Sequence, residues 1–229
     1  MSIVENVVAV REVIAESAKI SGRDPSEITL IGVTKTIDTT RIKELLTVGV
    51  QNIGENRVQE FLPKYEELGA ESATWHFIGH LQRNKVKYIV DKVDLIHSLD
   101  SLPLAVEIDK CARKIGKIMD VLVEVNVGNE PNKHGVAPNE ILDFMGNLVK
   151  LTNIRPCGLM CIPPFVKNAE ENRPFFEIMR NLNLDIQRTC LYDTNSIQLS
   201  YGMSNCFHVA IQEGATMIRL GEALFGSRT

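Results

Sequence analysis

The run Leu-Ile-Gly-Val from Leu30 to Val33 passes directly into Thr34-Lys35-Thr36. A short apolar segment thus hands over to polar residues within one step. Four apolar residues are too few for a buried helix and suit a strand covered on both faces. Seven further runs have the same character: Val50 to Gly54, Trp75 to Gly79, Val93 to Ser98, Asp120 to Asn126, Ile154 to Met160, Ile197 to Ser200 and Thr216 to Gly221. Between them lie longer amphipathic segments such as TTRIKELLTVG, RNKVKYIVDK, SLPLAVEIDKCARKIG and APNEILDFMGNLVKLT. Pro138 in the last of these stands where a first helical turn tolerates a missing N–H.

Helical crossovers imply parallel strand pairing. Eight such units are the number that closes a barrel and leaves no edge strand. The expected fold is therefore α/β, a single-domain (β/α)8 barrel over residues 1–229, with an open doubly wound sheet as the alternative. Ahead of the first unit, Val4, Val7, Val8, Ile14, Ala15 and Ala18 recur at helical spacing, and Ser21-Gly22 supplies a helix stop. This is read as an extra N-terminal helix.

Composition narrows the function classes. The chain has 229 residues, 44% hydrophobic and 24% charged, with 25 basic against 29 acidic side chains. No Lys/Arg block is long enough to track a polyphosphate backbone, so nucleic acid is not an expected partner. No apolar run approaches the ~20 residues of a membrane span, and the acidic residues Glu5, Glu12 and Glu16 argue against a signal or transit peptide. The five cysteines, Cys111, Cys157, Cys161, Cys190 and Cys206, are odd in number and lack a CxxC spacing. That usage fits a reducing, cytoplasmic compartment.

In a barrel of this class the ligand sits at the C-terminal ends of the strands. The polar residues expected there are Lys35, Asn52, Gly54-Glu55-Asn56, His76, His97-Ser98, Glu124, Asn126, Ser200, Gly202-Met203-Ser204, Arg219 and Gly221. Closure of the barrel puts strand eight beside strand one, so Arg219 approaches Lys35. A nearby cation and partial desolvation favour the neutral amine, the form that attacks an aldehyde. The competing reading is that Lys35 simply extends to water, and that Arg219 pairs with Glu124 or Glu222. Ser204 has the place of an N-cap for the helix NCFHVAIQEG, and Gly221 leaves backbone N–H groups accessible after strand eight. Together with Lys35 and Arg219 they describe a phosphorylated aldehyde, held by N–H groups at one end and bonded to lysine at the other. Opposite a pyridine-type nitrogen, Arg219 would disfavour protonation of that ring atom.

With these residues in place, the chain resembles the pyridoxal phosphate homeostasis protein family, the YggS/PROSC-type PLP-binding proteins. The resemblance rests on VTKT around Lys35, NIGENRVQE (52–60), WHFIGHLQRNK (75–85), IHSLD (96–100), EVNVGNEPNKHG (124–135), GLM (158–160) and LSYGMSNCFHVAIQEGATMIRLGEALFG (199–226). It implies a barrel like the N-terminal domain of alanine racemase, standing alone. It also implies pyridoxal 5'-phosphate (PLP) as a Schiff base on Lys35, Arg219 facing the pyridine nitrogen, and Ser204 and Gly221 on the phosphate. Ser200 and Met203 would share the pocket wall, with Asn52 near the ring. The implied role is intracellular balance of PLP and of amino and keto acids without established catalysis, with PLP-dependent apoenzymes as partners. Two positions depart from the family pattern. Tyr201 replaces a methionine, which leaves cofactor contact and outward packing both open, and Cys206 replaces an aspartate.

The alternative function is a Schiff-base enzyme, either an amino-acid racemase or an aldolase-type barrel. Racemisation needs an acid or base on each face of the substrate carbon, and none of Tyr65, Tyr88, Tyr192 and Tyr201 stands in a context that marks it as the second base. Metal binding is not expected. His76 and His80 are four apart but not in an HExxH helix, and His97, His134 and His208 have no Cys/His cluster in sequence. The basic stretch from Arg83 to Lys87 reads as a solvated helix start. A helix-covered barrel has no obligatory open edge, so a monomer is expected.

Overall fold

The computed structural model describes residues 2–130, 132–189 and 197–226. Eight parallel strands close into a barrel in sequence order, and β1 (Thr29–Val33) pairs with β8 (Met217–Leu220) through Ile31 opposite Arg219. The strands between are β2 (Asn52–Glu55), β3 (Thr74–Phe77), β4 (Leu95–Leu99), β5 (Met119–Val125), β6 (Ile154–Cys161) and β7 (Gln198–Ser200). An open sheet is thereby ruled out.

Helices surround the barrel: α2 (Thr39–Thr47), α3 (Val58–Leu68), α4 (Leu102–Lys114), α5 (Ile141–Leu148), α6 (Arg173–Thr189), α7 (Phe207–Gln212) and α8 (Glu222–Phe225). The segment RNKVKYIVDK departs from the expected helix and forms a 3-10 turn over Arg83–Tyr88. Its apolar residues Val86, Ile89, Val90 and Val93 are all buried. The period thus located the inward face correctly, while β-branched crowding disfavours a regular α-helix there.

The N-terminal helix α1 (Ile3–Ile20) opens on a capping box, in which Ser2 accepts from the Glu5 N–H and Glu5 accepts from the Ser2 N–H. Gly22 (φ 69°) carries the chain out of it. Val7, Ile14 and Ala18 are buried as expected, but Val4 and Val8 face outward, and Val10 and the amide of Asn6 take the inner stripe. Asn6 Nδ2 donates to the Leu224 carbonyl, which ties the first helix to the last.

Most of the apolar core lies between the strands and their covering helices. Inside the barrel, Ile31, Leu95, Leu122, Met160 and Met217 form a separate small cluster. Successive inward side chains along a strand are two residues apart. Leu95 and His97, Leu122 and Glu124, and Met217 and Arg219 therefore share that inner face. An apolar layer is thus followed, toward the C-terminal end, by buried polar groups.

Candidate functional site

Lys35 stands two residues beyond β1, half-buried, in a turn whose next residue is strained. Thr36 has φ 63°, a left-handed conformation that a β-branched residue rarely takes. The helix α3 grips this turn from both sides. Glu60 Oε2 accepts from the Thr36 N–H at 2.7 Å, and one helical turn later Lys64 Nζ donates to the Thr34 carbonyl at 2.7 Å. Lys64 also pairs with the fully buried Glu55 at 2.6 Å, and the Thr34 hydroxyl donates to the same Glu55 oxygen at 2.6 Å. Nothing in the sequence pattern marked this clamp, because Glu60 and Lys64 read as ordinary helix-surface residues.

Across the barrel mouth, Gly202 (φ 96°) turns the chain out of β7 and directs Met203 and Ser204 to the rim. A Cβ at Gly202 would stand 2.6 Å from that of Ala210, so glycine is required there. Gly221 differs. Its φ is −113°, and an added Cβ would meet Val33 only at ordinary contact distance. Protein packing therefore does not demand a glycine at 221, and the bare backbone stays open toward the pocket. Ser204 is not the cap of α7, whose first turn starts after Cys206. Its hydroxyl accepts instead from the Ala223 N–H at 3.1 Å, joining the β7 and β8 loops.

These groups surround one cavity of about 370 Å³, within the roughly 300–1,000 Å³ usual for small-molecule sites. Lys35, Met203, Ser204, Arg219 and Gly221 all line it, as does Asn56 from the β2 exit, together with Ile78, Phe165, Asn205 and Glu222, which were not expected in that role. Phe165 is 85% exposed at the rim. A large bare aromatic on a loop was the signal that could have found it.

Arg219 is buried at the base of this cavity. Its Nη1 donates to the Ser200 carbonyl (2.7 Å) and hydroxyl (2.6 Å), and its Nη2 to the Cys161 carbonyl (2.9 Å). No ion pair joins it to Glu124 or Glu222, so the structural pairing weighed from the sequence is not formed. Burial pulls its pKa down, yet a guanidinium remains charged throughout the neutral range. Glu124, nearby in the interior, is pushed up to about 7 by burial, with Asp100 adding and Arg219 opposing.

Ser200 does not line the cavity; it lies behind Arg219. Asn52 is farther still. It opens β2 rather than ending it, and lines a cavity of about 590 Å³ at the N-terminal mouth with Thr29, Thr74 and Asp94. The two residues are nevertheless linked. Ser200 Oγ lies 3.0 Å from His97 Nδ1, His97 Nε2 lies 3.0 Å from His76 Nδ1, and His76 Nε2 lies 3.0 Å from Asn52 Oδ1. Burial holds His76 down to about 4 and His97 well below the usual range, His76 and Arg219 adding to the latter. Both rings are therefore neutral near pH 7. Since Asn52 Oδ1 can only accept, every hydrogen in the chain points one way: Arg219 to Ser200 to His97 to His76 to Asn52.

Tyr201 packs outward. Its ring stacks on Phe176 at 5.1 Å, and its hydroxyl donates to the Glu213 carbonyl at 2.9 Å. Tyr65 packs beside Phe61 and Trp75, Tyr88 is 43% exposed, and Tyr192 and Cys190 lie outside the described residues. No tyrosine among the described residues lines the cavity.

A sequence profile of the alanine racemase N-terminal domain matches residues 23–229. The chain is 46% identical, over 100% of its own length and 99% of the relative's, to the pyridoxal phosphate homeostasis protein of Aquifex aeolicus. Among solved structures, an unknown protein from Bifidobacterium adolescentis superposes with a TM-score of 0.91 at 33% identity, covering 97% of this chain and 94% of that one. PipY of Synechococcus elongatus, solved with PLP bound, superposes with a TM-score of 0.85 at 32% identity, covering 98% of this chain and 100% of its own. With full-length identity of this order and the same closed barrel, the chain belongs to the pyridoxal phosphate homeostasis protein family.

Proposed function

We propose that this chain binds PLP covalently through Lys35 and serves as an intracellular holder and donor of the cofactor, not as a turnover enzyme. The observation that carries this is the single cavity joining Lys35, from the β1 exit, to Ser204, Arg219 and Gly221, from the β7 and β8 loops. PLP supplies an aldehyde that condenses reversibly with amines and a ring that withdraws electrons from the attached atom. The residues fit such a group. Lys35 offers the amine. The bare backbone at Gly221 and the Ser204 hydroxyl offer a cradle for a phosphate, and Arg219 presents a fixed cation with no carboxylate paired to it.

That cation disfavours protonation of any ring nitrogen set against it, so electron withdrawal is weak. Racemisation also needs a second acid or base opposite the lysine. Apart from Lys35 and Arg219, the exposed Glu222 at the rim is the one ionisable side chain among the described residues that lines the cavity. Cys111, Cys157, Cys161 and Cys206 are free thiols, which suits a reducing cytoplasm. No helix among the described residues is long and apolar enough to cross a membrane. PLP-dependent apoenzymes are the partners this role requires.

The test is direct. The chain loaded with PLP is incubated with L-alanine or L-serine beside a catalytic racemase. No D-isomer should form at the usual enzymatic scale of about 1 to 10³ per second, whereas transfer of PLP to an apoenzyme should proceed. Turnover within that range would refute the carrier role.

A further inference from the structure

On the rim formed by the β3, β4 and β5 loops, three side chains converge that PLP binding does not use. His80 follows β3, Asp100 follows β4, and His134 lies between β5 and α5. His80 Nδ1 is 3.2 Å and His134 Nδ1 is 3.7 Å from the same atom, Asp100 Oδ2. One ligand atom from each residue falls within 4.8 Å of the other two. The second Asp100 oxygen accepts from the Ser101 hydroxyl at 2.9 Å.

We propose that His80, Asp100 and His134 form a three-ligand site for a borderline divalent ion such as zinc, cobalt or nickel. Two imidazoles and one carboxylate are the donor set these ions prefer, while calcium and magnesium take oxygen ligands. With bonds of roughly 2.0–2.1 Å, neighbouring ligands of a tetrahedron stand about 3.3 Å apart. The observed separations of 3.2 and 3.7 Å are already close to that edge. The Ser101 hydroxyl fixes the carboxylate from behind, as outer partners do at metal sites. A cavity of about 590 Å³ opens beside His80 and Asp100, which leaves the fourth position accessible to water.

The two rings stack 3.7 Å apart and 10° from parallel. Lone pairs that lie in parallel planes do not meet at one ion, so one ring must turn out of the stack to bind. His134, with 56% side-chain exposure against 39% for His80, is the one free to do so.

The experiment uses the full chain, tag-free and stripped of metal, titrated with zinc chloride by calorimetry and with cobalt chloride by visible absorption. One equivalent should bind, with the intense band of four-coordinate cobalt. His80→Ala and His134→Ala should each weaken zinc binding by at least about ten-fold, while His208→Ala leaves it unchanged. His80 and His134 are exposed side chains and His208 is half-buried, and circular dichroism checks that the fold persists. Absence of saturable zinc binding in the parent chain would overturn the proposal, as would equal affinity in the His80→Ala/His134→Ala double variant. Neither result bears on PLP binding, because none of the three residues lines the Lys35 cavity.

Discussion

Arg219 enters the barrel interior without a carboxylate partner, and what stands behind it makes that position tenable. Its charge rests on two carbonyls and a hydroxyl, and that hydroxyl is oriented by two neutral histidines. The His76 pKa of about 4 against an unfolded value of 6.5 gives a stability signature. A depressed histidine contributes stability that is present above pH 6.5 and lost as pH falls toward 4, because the unfolded chain takes the proton first. From that difference, His76 should withdraw roughly 3 kcal/mol across the window. His76→Gln should flatten the acid limb of a stability–pH curve measured by urea unfolding; an unchanged limb would show that His76 titrates normally. At this scale the sequence marked Lys35, Met203, Ser204, Arg219 and Gly221 as residues of the C-terminal face, where they line one cavity, because strand ends and loops announce that face. Asn52 was misplaced for a definite reason. The apolar run Val50 to Gly54 begins before the strand does, and counting from it puts Asn52 at the wrong end of β2.

At the scale of elements, α3 positions the lysine turn. Removing the Lys64 charge leaves Glu55 buried without its cation, which typically costs about 3–5 kcal/mol. Lys64→Met should lose stability on that order in chemical unfolding and slow the reaction of Lys35 with PLP in the still-folded fraction. A loss under about 1 kcal/mol would mean that Glu55 finds another partner. The start of α7 offers a second test. Asn172 has both side-chain polar atoms buried without a well-formed partner, and its polar neighbour Cys206 offers only a weak sulfur acceptor at the N-cap. Cys206→Asp should cap α7, give Asn172 an acceptor and raise the unfolding free energy by about 1 kcal/mol. A lower value would show that carboxylate burial outweighs the cap. The clamp was invisible in the sequence because it joins residues 34, 36, 55, 60 and 64 across three elements, partly through the backbone groups of Thr34 and Thr36, which carry no compositional mark. The outward packing of Tyr201 was undecidable for a similar reason, since its partner Phe176 is 25 positions away and on another element.

For the molecule as a whole, the barrel was the most legible feature. Short apolar runs alternating with amphipathic segments leave few topologies, and eight units close without an edge. What the pattern could not give was the interior, where Ile31, Leu95, Leu122, Met160 and Met217 form one layer and the Arg219 chain crosses it. The rim cluster of His80, Asp100 and His134 was likewise hidden, since its members come from three loops. Closure leaves no strand edge to recruit a second copy, so sedimentation equilibrium should return a mass near 25.6 kDa; twice that value would contradict a monomer.

In the proposed function one lysine, Lys35, carries the cofactor. Borohydride reduction of the PLP-loaded chain converts the lysine linkage to a stable secondary amine, and peptide mass mapping then locates the pyridoxyl group. One dominant modified peptide containing Lys35 is predicted, together with loss of the visible band in Lys35→Ala and weaker retention in Ser204→Ala with the fold intact. A folded Lys35→Ala protein that still acquired one equivalent of reducible PLP at another single lysine would refute attachment at Lys35.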